Sequence, residues 1–365
     1  MLRKRKMSDE PKKAEKKMKR EIAVCADVWL AVFAFLPASQ LGLQIALLSY
    51  RFDHFVDEHF KTRKWTLGFM RIWRKSPAEK CGTVKMRIVN ANWKEKPIPE
   101  IAMPGKVVGF DRLILKYIDE SVVPFLHFFR PLFASCGTNL AIESRSFRVL
   151  EFVGHQLLPM ISARICGMKI LSGHLRYLRQ FSASILDDCS SLRSLFCVGN
   201  FFPKFPADGS AGASSSRALA HWLCSPRSDG VPKLLRCDFN WKCQWTSKIE
   251  GLKTAFANAS SPVCFVIVIV WHIWIGPDIE RISVPFSLRN ALTEERLALK
   301  LLGNQRFLIV RCPIARNEQK WAQWEREATE WEFDEQWNRI IISASESGFS
   351  TEQADTSDHQ LQQED

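Results

Sequence analysis

Along the middle of the chain, short apolar runs recur at a nearly fixed step. Arg112-Leu-Ile-Leu-Lys-Tyr117, Asn139-Leu-Ala-Ile-Glu143, Gly167-Met-Lys-Ile-Leu171 and Arg193-Ser-Leu-Phe-Cys-Val198 start 27, 28 and 26 residues apart. Leu234-Leu-Arg-Cys-Asp-Phe239 follows after a longer step, then Cys264-Phe-Val-Ile-Val-Ile269. Runs this short and rich in branched apolar residues read as buried strands. Helix-like stretches lie between them, such as 121–133 and 175–181. A strand–helix unit repeating every 20–29 residues has the period of a leucine-rich-repeat solenoid. One unit cannot cover its own apolar face, so neighbours must stack. The units here are degenerate and lack the Asn pattern. The competing reading is a two-layer α/β domain with irregular crossovers.

The most apolar segment, 262–275, is shorter than the ~20 residues a membrane helix needs, and its β-branched content predicts one or two buried strands. The first twenty residues open on a basic run with no apolar stretch, so no signal peptide is evident and a cytoplasmic or nuclear location is expected. The step from 198 to 234 contains a small, polar, Gly-rich loop, 205–216, leading into a helix at 217–223. No Gly-Lys-Ser/Thr follows it, so phosphate binding there is weakly supported. Trp321, Trp324, Ala328 and Trp331 share one face of a predicted helix over 317–339, a stripe that suits core packing.

Charge is concentrated at the ends. Residues 1–20 hold ten Lys or Arg against three acids, while 344–365 hold six acids and no Lys or Arg. Two basic clusters stand in the arm: Arg3, Lys4, Arg5 and Lys6, then Lys16, Lys17, Lys19 and Arg20. They suit a nuclear-import signal or simply a solvated tail; nucleic-acid binding ranks lower because the body is only mildly basic.

No chemistry-bearing motif stands out. The sequence has no Gly-x-Ser-x-Gly, His-Glu-x-x-His, P-loop or dinucleotide fingerprint. Its eleven Cys include no Cys-x-x-Cys pair, which suits buried thiols in a reducing compartment. His221, Cys224, Cys237 and Cys243 come nearest to a metal set, at a spacing that matches no structural zinc pattern. A non-catalytic protein without cofactor or metal is expected.

Residues 22–60 carry a different signal. Val28, Val32, Phe35 and Leu36 fall on one helical face, with Trp29 and Phe33 beside them and Asp27 as a plausible N-cap. Pro37 stops that helix, Ser39 can cap the next, and Leu41, Ile45, Leu48, Phe52 and Phe55 continue at steps of three or four. A cassette this small cannot bury its own face, which makes it a docking element. The plainer reading is an amphipathic hairpin belonging to the main core.

The cassette resembles an F-box. The pattern maps onto Val24, Cys25, Asp27, Val28, Trp29, Val32, Leu36, Leu41, Leu47, Leu48, Arg51 and Phe52, with Val24-Cys25 standing where Leu-Pro is usual. Segments 109–123, 205–213, 251–260 and 311–316 and the Trp-rich stretch 321–337 resemble the body of nematode F-box domain-containing proteins. The resemblance implies a three-helix F-box followed by an irregular leucine-rich-repeat-like β/α domain. It places the F-box at 22–60, a linker region at 61–106 and the substrate-binding domain at 107–342, while composition alone marks 1–21 as a disordered basic arm and 343–365 as a disordered acidic tail. It implies a substrate receptor that binds a Skp-type adaptor, and through it a cullin scaffold, using Val24, Cys25, Val28, Trp29, Val32, Phe35, Leu36, Leu41, Leu47, Leu48 and Phe52. A protein substrate would then be carried to the ubiquitin ligase, with no catalytic group on the receptor. A nuclear or nucleic-acid-associated factor and an adaptor-binding scaffold without ligase activity are the alternatives.

Overall fold

The structure, a computed structural model, describes residues 24–36, 40–62, 65–73, 83–87, 94–96, 107–118, 122–135, 137–239, 245–272, 285–303 and 305–345. The chain is a mixed α/β protein. Its strands in order are β1 (Trp65–Thr66), β2 (Phe69–Trp73), β3 (Thr83–Arg87), β4 (Lys94–Lys96), β5 (Val107–Gly109), β6 (Arg112–Leu115), β7 (Thr138–Ile142) and β8 (Ile165–Leu171). There follow β9 (Ser194–Val198), β10 (Lys233–Phe239), β11 (Phe265–Trp271), β12 (Phe286–Asn290), β13 (Glu295–Gly303), β14 (Arg306–Pro313) and β15 (Arg339–Ile342). Strands β1 and β5 pair alone; the other thirteen form one sheet in the order β12-β13-β14-β11-β10-β9-β8-β7-β15-β6-β2-β3-β4. From β11 through β2 every neighbouring pair is parallel, while β12, β13 and β14 on one flank and β3 and β4 on the other run antiparallel to their neighbours.

All six sequence-predicted strands are present, and their runs of branched residues explain why. Strand β11 is buried at every position, as a strand covered on both faces must be. No described helix is long and apolar enough to cross a membrane.

One face of the sheet carries the large core. Leu140, Ile142, Leu195, Leu235, Phe265, Ile267 and Ile269 meet Phe125 and Phe129, Leu150 and Leu157, Leu175 and Leu178, Leu219 and Trp222, and Leu252 and Phe256. Those partners come from the helical stretches that connect the parallel strands. The opposite face is covered over β10, β11 and β14 by the helix Glu318–Glu330, whose Trp321 and Ala328 pack on Leu234, Val266, Val268 and Val310. The Trp stripe is therefore a packing face.

Two expectations change. Residues 61–106 supply β2, which hydrogen-bonds to β6 inside the main sheet, so this stretch is more than a connector. The helix predicted over 317–339 ends at Glu330, and the residues after it cross the sheet and re-enter it as β15 between β6 and β7. Arg236 donates to the Trp331 carbonyl and to Glu332, which draws the chain out of the helical path. Asn338 then takes a left-handed turn, which Asn tolerates better than most residues. It is fully buried, and its Oδ1 accepts the Phe110 N–H at 2.8 Å. Asn139 seals the other side, donating from Nδ2 to the Trp337 carbonyl. Both amides demand room: a Cβ at Gly109 would run into Asn338, and one at Gly167 into Asn139. The strand at 112 is therefore not a sheet neighbour of the strand at 138, although the two are consecutive in the regular spacing.

His174 gives this core a pH dependence. Its ring is buried, and Nδ1 accepts the Leu171 N–H at 3.2 Å. Burial lowers its pKa from 6.5 to about 4. The unfolded chain therefore binds the extra proton first as pH falls below 6.5, and the stability held above that pH drains away down to about 4. At pH 5 the loss amounts to about 2 kcal/mol. His174→Gln keeps an acceptor without a titrating ring. Its urea midpoint should fall less between pH 7 and pH 5 than that of the unaltered protein; equal falls would contradict the assignment.

Candidate docking surface

The cassette builds three helical segments: Ala26–Phe33, the pair Leu41–Ile45 and Ala46–Leu48, and Tyr50–Thr62. Cys25, in extended conformation, occupies the N-cap of the first. Asp27 lies inside the first turn, where its charge suits the helix dipole; it does not cap. Pro37 and Ser39 lie outside the described residues. Leu41–Ile45 is wound as a π turn and Ala46–Leu48 as a 3-10 turn. Ser49 is extended and its Oγ accepts the Phe52 N–H at 3.3 Å, which starts the third helix. Arg51 donates to the Val24 carbonyl at 2.9 Å and lies over the Phe55 ring, tying the third helix to the start of the cassette.

A small core of its own holds these segments. Phe33, Leu41, Ala46, Val56 and Phe60 are buried together, with Trp29, Leu30, Leu36, Ile45, Phe52 and Phe55 partly buried against them. Trp29 meets Phe52 edge-on at 4.9 Å between ring centroids. What remains outside is apolar. Val28 and Val32 stand exposed on the first helix, and Phe35 in the turn just after it. Leu47, Leu48 and Tyr50 stand exposed where the second segment meets the third. Phe35 is 88% exposed, Leu48 66% and Tyr50 89%. Burying one such side chain fully is worth about 1.5–3 kcal/mol, so water is a poor solvent for this set.

The predicted adaptor-facing residues therefore divide. Cys25, Val28, Val32, Phe35, Leu47 and Leu48 are exposed. Val24, Trp29, Leu36 and Phe52 are half-buried, and the last three serve the cassette core as well. Leu41 is completely buried and supports the surface from beneath; it cannot face a partner directly. Tyr50 was missed. Its signal was its place between the capping Ser49 and Arg51, at the first position of a helix. The basic residues Arg3, Lys4, Arg5, Lys6, Lys16, Lys17, Lys19 and Arg20 lie outside the described residues.

Elsewhere, no group of three or more His, Cys, Asp or Glu placed to hold a metal is found among the described residues. His221 Nε2 is 3.7 Å from Asp187, and Cys237 is sealed in the main core. Cys224 is half-buried, and Cys243 lies outside the described residues. The Gly-rich loop is pinned by Arg179, which donates to the carbonyls of Ser210 and Ala213, and by Arg217, which donates to that of Pro206. Beyond the 318–330 helix, Trp331 and Phe333 pack on Ile114, Ala141, Phe196 and Ile341, and polar groups surround this patch. Arg236 bridges Asp238 and Glu332, His272 Nε2 meets Asp238 at 2.8 Å, and Lys169 lies 3.6 Å from Glu143.

No family model matches this chain, and no curated protein matches it. Among solved structures, a chitinase from Chromobacterium violaceum is similar over 65% of this chain and 87% of that chain, at 11% identity and a TM-score of 0.21. A likeness at that level carries no argument about fold or activity.

Proposed function

We propose that this chain is an F-box-type substrate receptor, which docks on a Skp-type adaptor and presents a protein substrate to a Skp–cullin–F-box ubiquitin ligase. The observation that carries this reading is the apolar set left outside the cassette's own core: Val28, Val32, Phe35, Leu47, Leu48 and Tyr50. A three-segment unit whose best hydrophobic anchors point to water suits the helix-in-groove mode of binding. The receptor itself needs no catalytic group, because holding a substrate near the conjugating enzyme raises the effective concentration of its lysines.

The body is proposed to be an irregular leucine-rich-repeat-like unit. In support, β7 to β11 are sheet neighbours in sequence order, with connecting helices on one face. The helix Glu318–Glu330 takes part of the opposite face out of contact with any substrate.

The test is co-purification with a Skp-type adaptor. Phe35→Glu combined with Leu48→Glu adds charge only at exposed positions, so folding should be unchanged. If both are anchors worth at least ~2 kcal/mol, affinity should fall by a factor of 100 or more. Wild-type affinity in that variant would remove the docking surface from where it is assigned. Leu36→Asp should also abolish the complex, but through a half-buried position that disturbs the cassette as well.

A further inference from the structure

Strands β11 and β14 run antiparallel with Phe265 opposite Arg311, Val266 opposite Val310, and so on to Val270 opposite Arg306. One step outward, the same register sets Cys264 opposite Cys312. The Trp271 N–H donates to the Gln305 carbonyl, which makes Trp271 and Gln305 a hydrogen-bonded pair of this ladder. Such pairs alternate with non-hydrogen-bonded ones, and counting back by single steps makes Cys264 and Cys312 a non-hydrogen-bonded pair. Cα atoms in such a pair stand about 4.5 Å apart, within the range that a disulfide spans. The two side chains also share a face, since Cys264 packs on the apolar cluster that contains Cys312. Both are free thiols.

We propose that Cys264 and Cys312 form a redox-sensitive dithiol that closes to a cross-strand disulfide when the protein meets hydrogen peroxide. Each sulfur has a distinct role. Cys312 is buried, and Arg316 Nη1 donates to its Sγ at 3.2 Å. Cys264 is partly exposed and is the sulfur that peroxide reaches first; burial together with Glu295 raises its pKa to about 11, so its oxidation is slow at neutral pH and quickens as pH rises. Cys264 sulfur gives up its proton and attacks one peroxide oxygen. The O–O bond breaks, the departing oxygen leaves as water after taking up a proton, and Cys264 becomes a sulfenic acid. Cys312 sulfur then attacks Cys264 sulfur, loses its proton, and expels the hydroxyl as a second water. Two thiols and one peroxide thus give one disulfide and two waters. A second pair makes the contrast: Cys197 and Cys237 are register partners in β9 and β10, but both are fully buried in the main core, where no oxidant reaches them.

The experiment exposes the full chain to hydrogen peroxide and maps its peptides without reduction. A peptide linking Cys264 to Cys312 is expected, together with a rise of about 5 °C or more in the thermal midpoint that dithiothreitol reverses. In Cys312→Ser the link and the rise should both vanish, and dimedone should then label Cys264, whose sulfenic acid has lost its partner. Recovery of Cys264 and Cys312 as unlinked peptides from the oxidised wild-type chain would overturn the proposal. Absence of dimedone label at Cys264 in the variant would overturn it equally.

Discussion

Arg311→Met is expected to destabilise the protein by about 3–5 kcal/mol, one of the largest effects of any single substitution in this chain. Glu295 is completely buried and Arg311 nearly so. Arg311 Nη2 and Nε donate to Glu295 Oε2 at 2.6 and 3.1 Å, and Nη2 also reaches the Ser261 carbonyl. The other carboxylate oxygen accepts the Val263 N–H at 2.7 Å. The guanidinium lies over the Phe256 ring. This cluster stitches the turn after the helix Trp245–Ala257 to β13 and β14. Removing the guanidinium alone strands a charge in apolar surroundings, which costs far more than the intact pair contributes. Adding Glu295→Gln to Arg311→Met removes that charge while keeping an acceptor for Val263. The double variant should therefore be more stable than Arg311→Met alone. Urea midpoints of the three proteins decide it; a single variant within about 1 kcal/mol of wild type would show that the site is wetter than described.

Ending the chain at residue 330 should abolish cooperative folding altogether. Strand β15 pairs with β6 on one side and β7 on the other at all four of its positions. Ile340, Ile341 and Ile342 are buried on both faces of the sheet. Losing three buried isoleucines alone costs on the order of 5–9 kcal/mol, comparable with the whole stability of a typical protein. Asn139 and Gly137 would also lose the partners supplied by residues 337 and 338. Removing only the acidic residues after Ser345 should leave the thermal transition in place. A sharp, wild-type-like melt from the chain ending at 330 would mean that β6 and β7 can pair without the inserted strand.

The sequence made much of this fold legible, and the parts it hid share a cause. Strands β6 to β11 announce themselves because branched apolar residues cluster in short runs at regular intervals. Strand β15 stayed hidden because the Trp stripe of the preceding helix has a period that extrapolates past Glu330. The contacts that stop it come from Arg236 and Phe110, far away in sequence. The β12–β13–β14 flank was not assigned because no repeat spacing points to it. In the cassette, period alone could not separate Leu41 from Leu48, both leucines on an apparent helical stripe. The π turn followed by a 3-10 turn shifts the phase between them, so one is sealed and the other faces water.

The placement of β15 also fixes when this protein can finish folding. The slot between β6 and β7 is made early in translation, and the segment that fills it emerges about two hundred residues later. At about 5–20 residues per second, the ribosome leaves that slot open for on the order of ten seconds or more. Through that interval two unpaired strand edges invite wrong partners, so the nascent chain should depend on chaperones until its last strand is released.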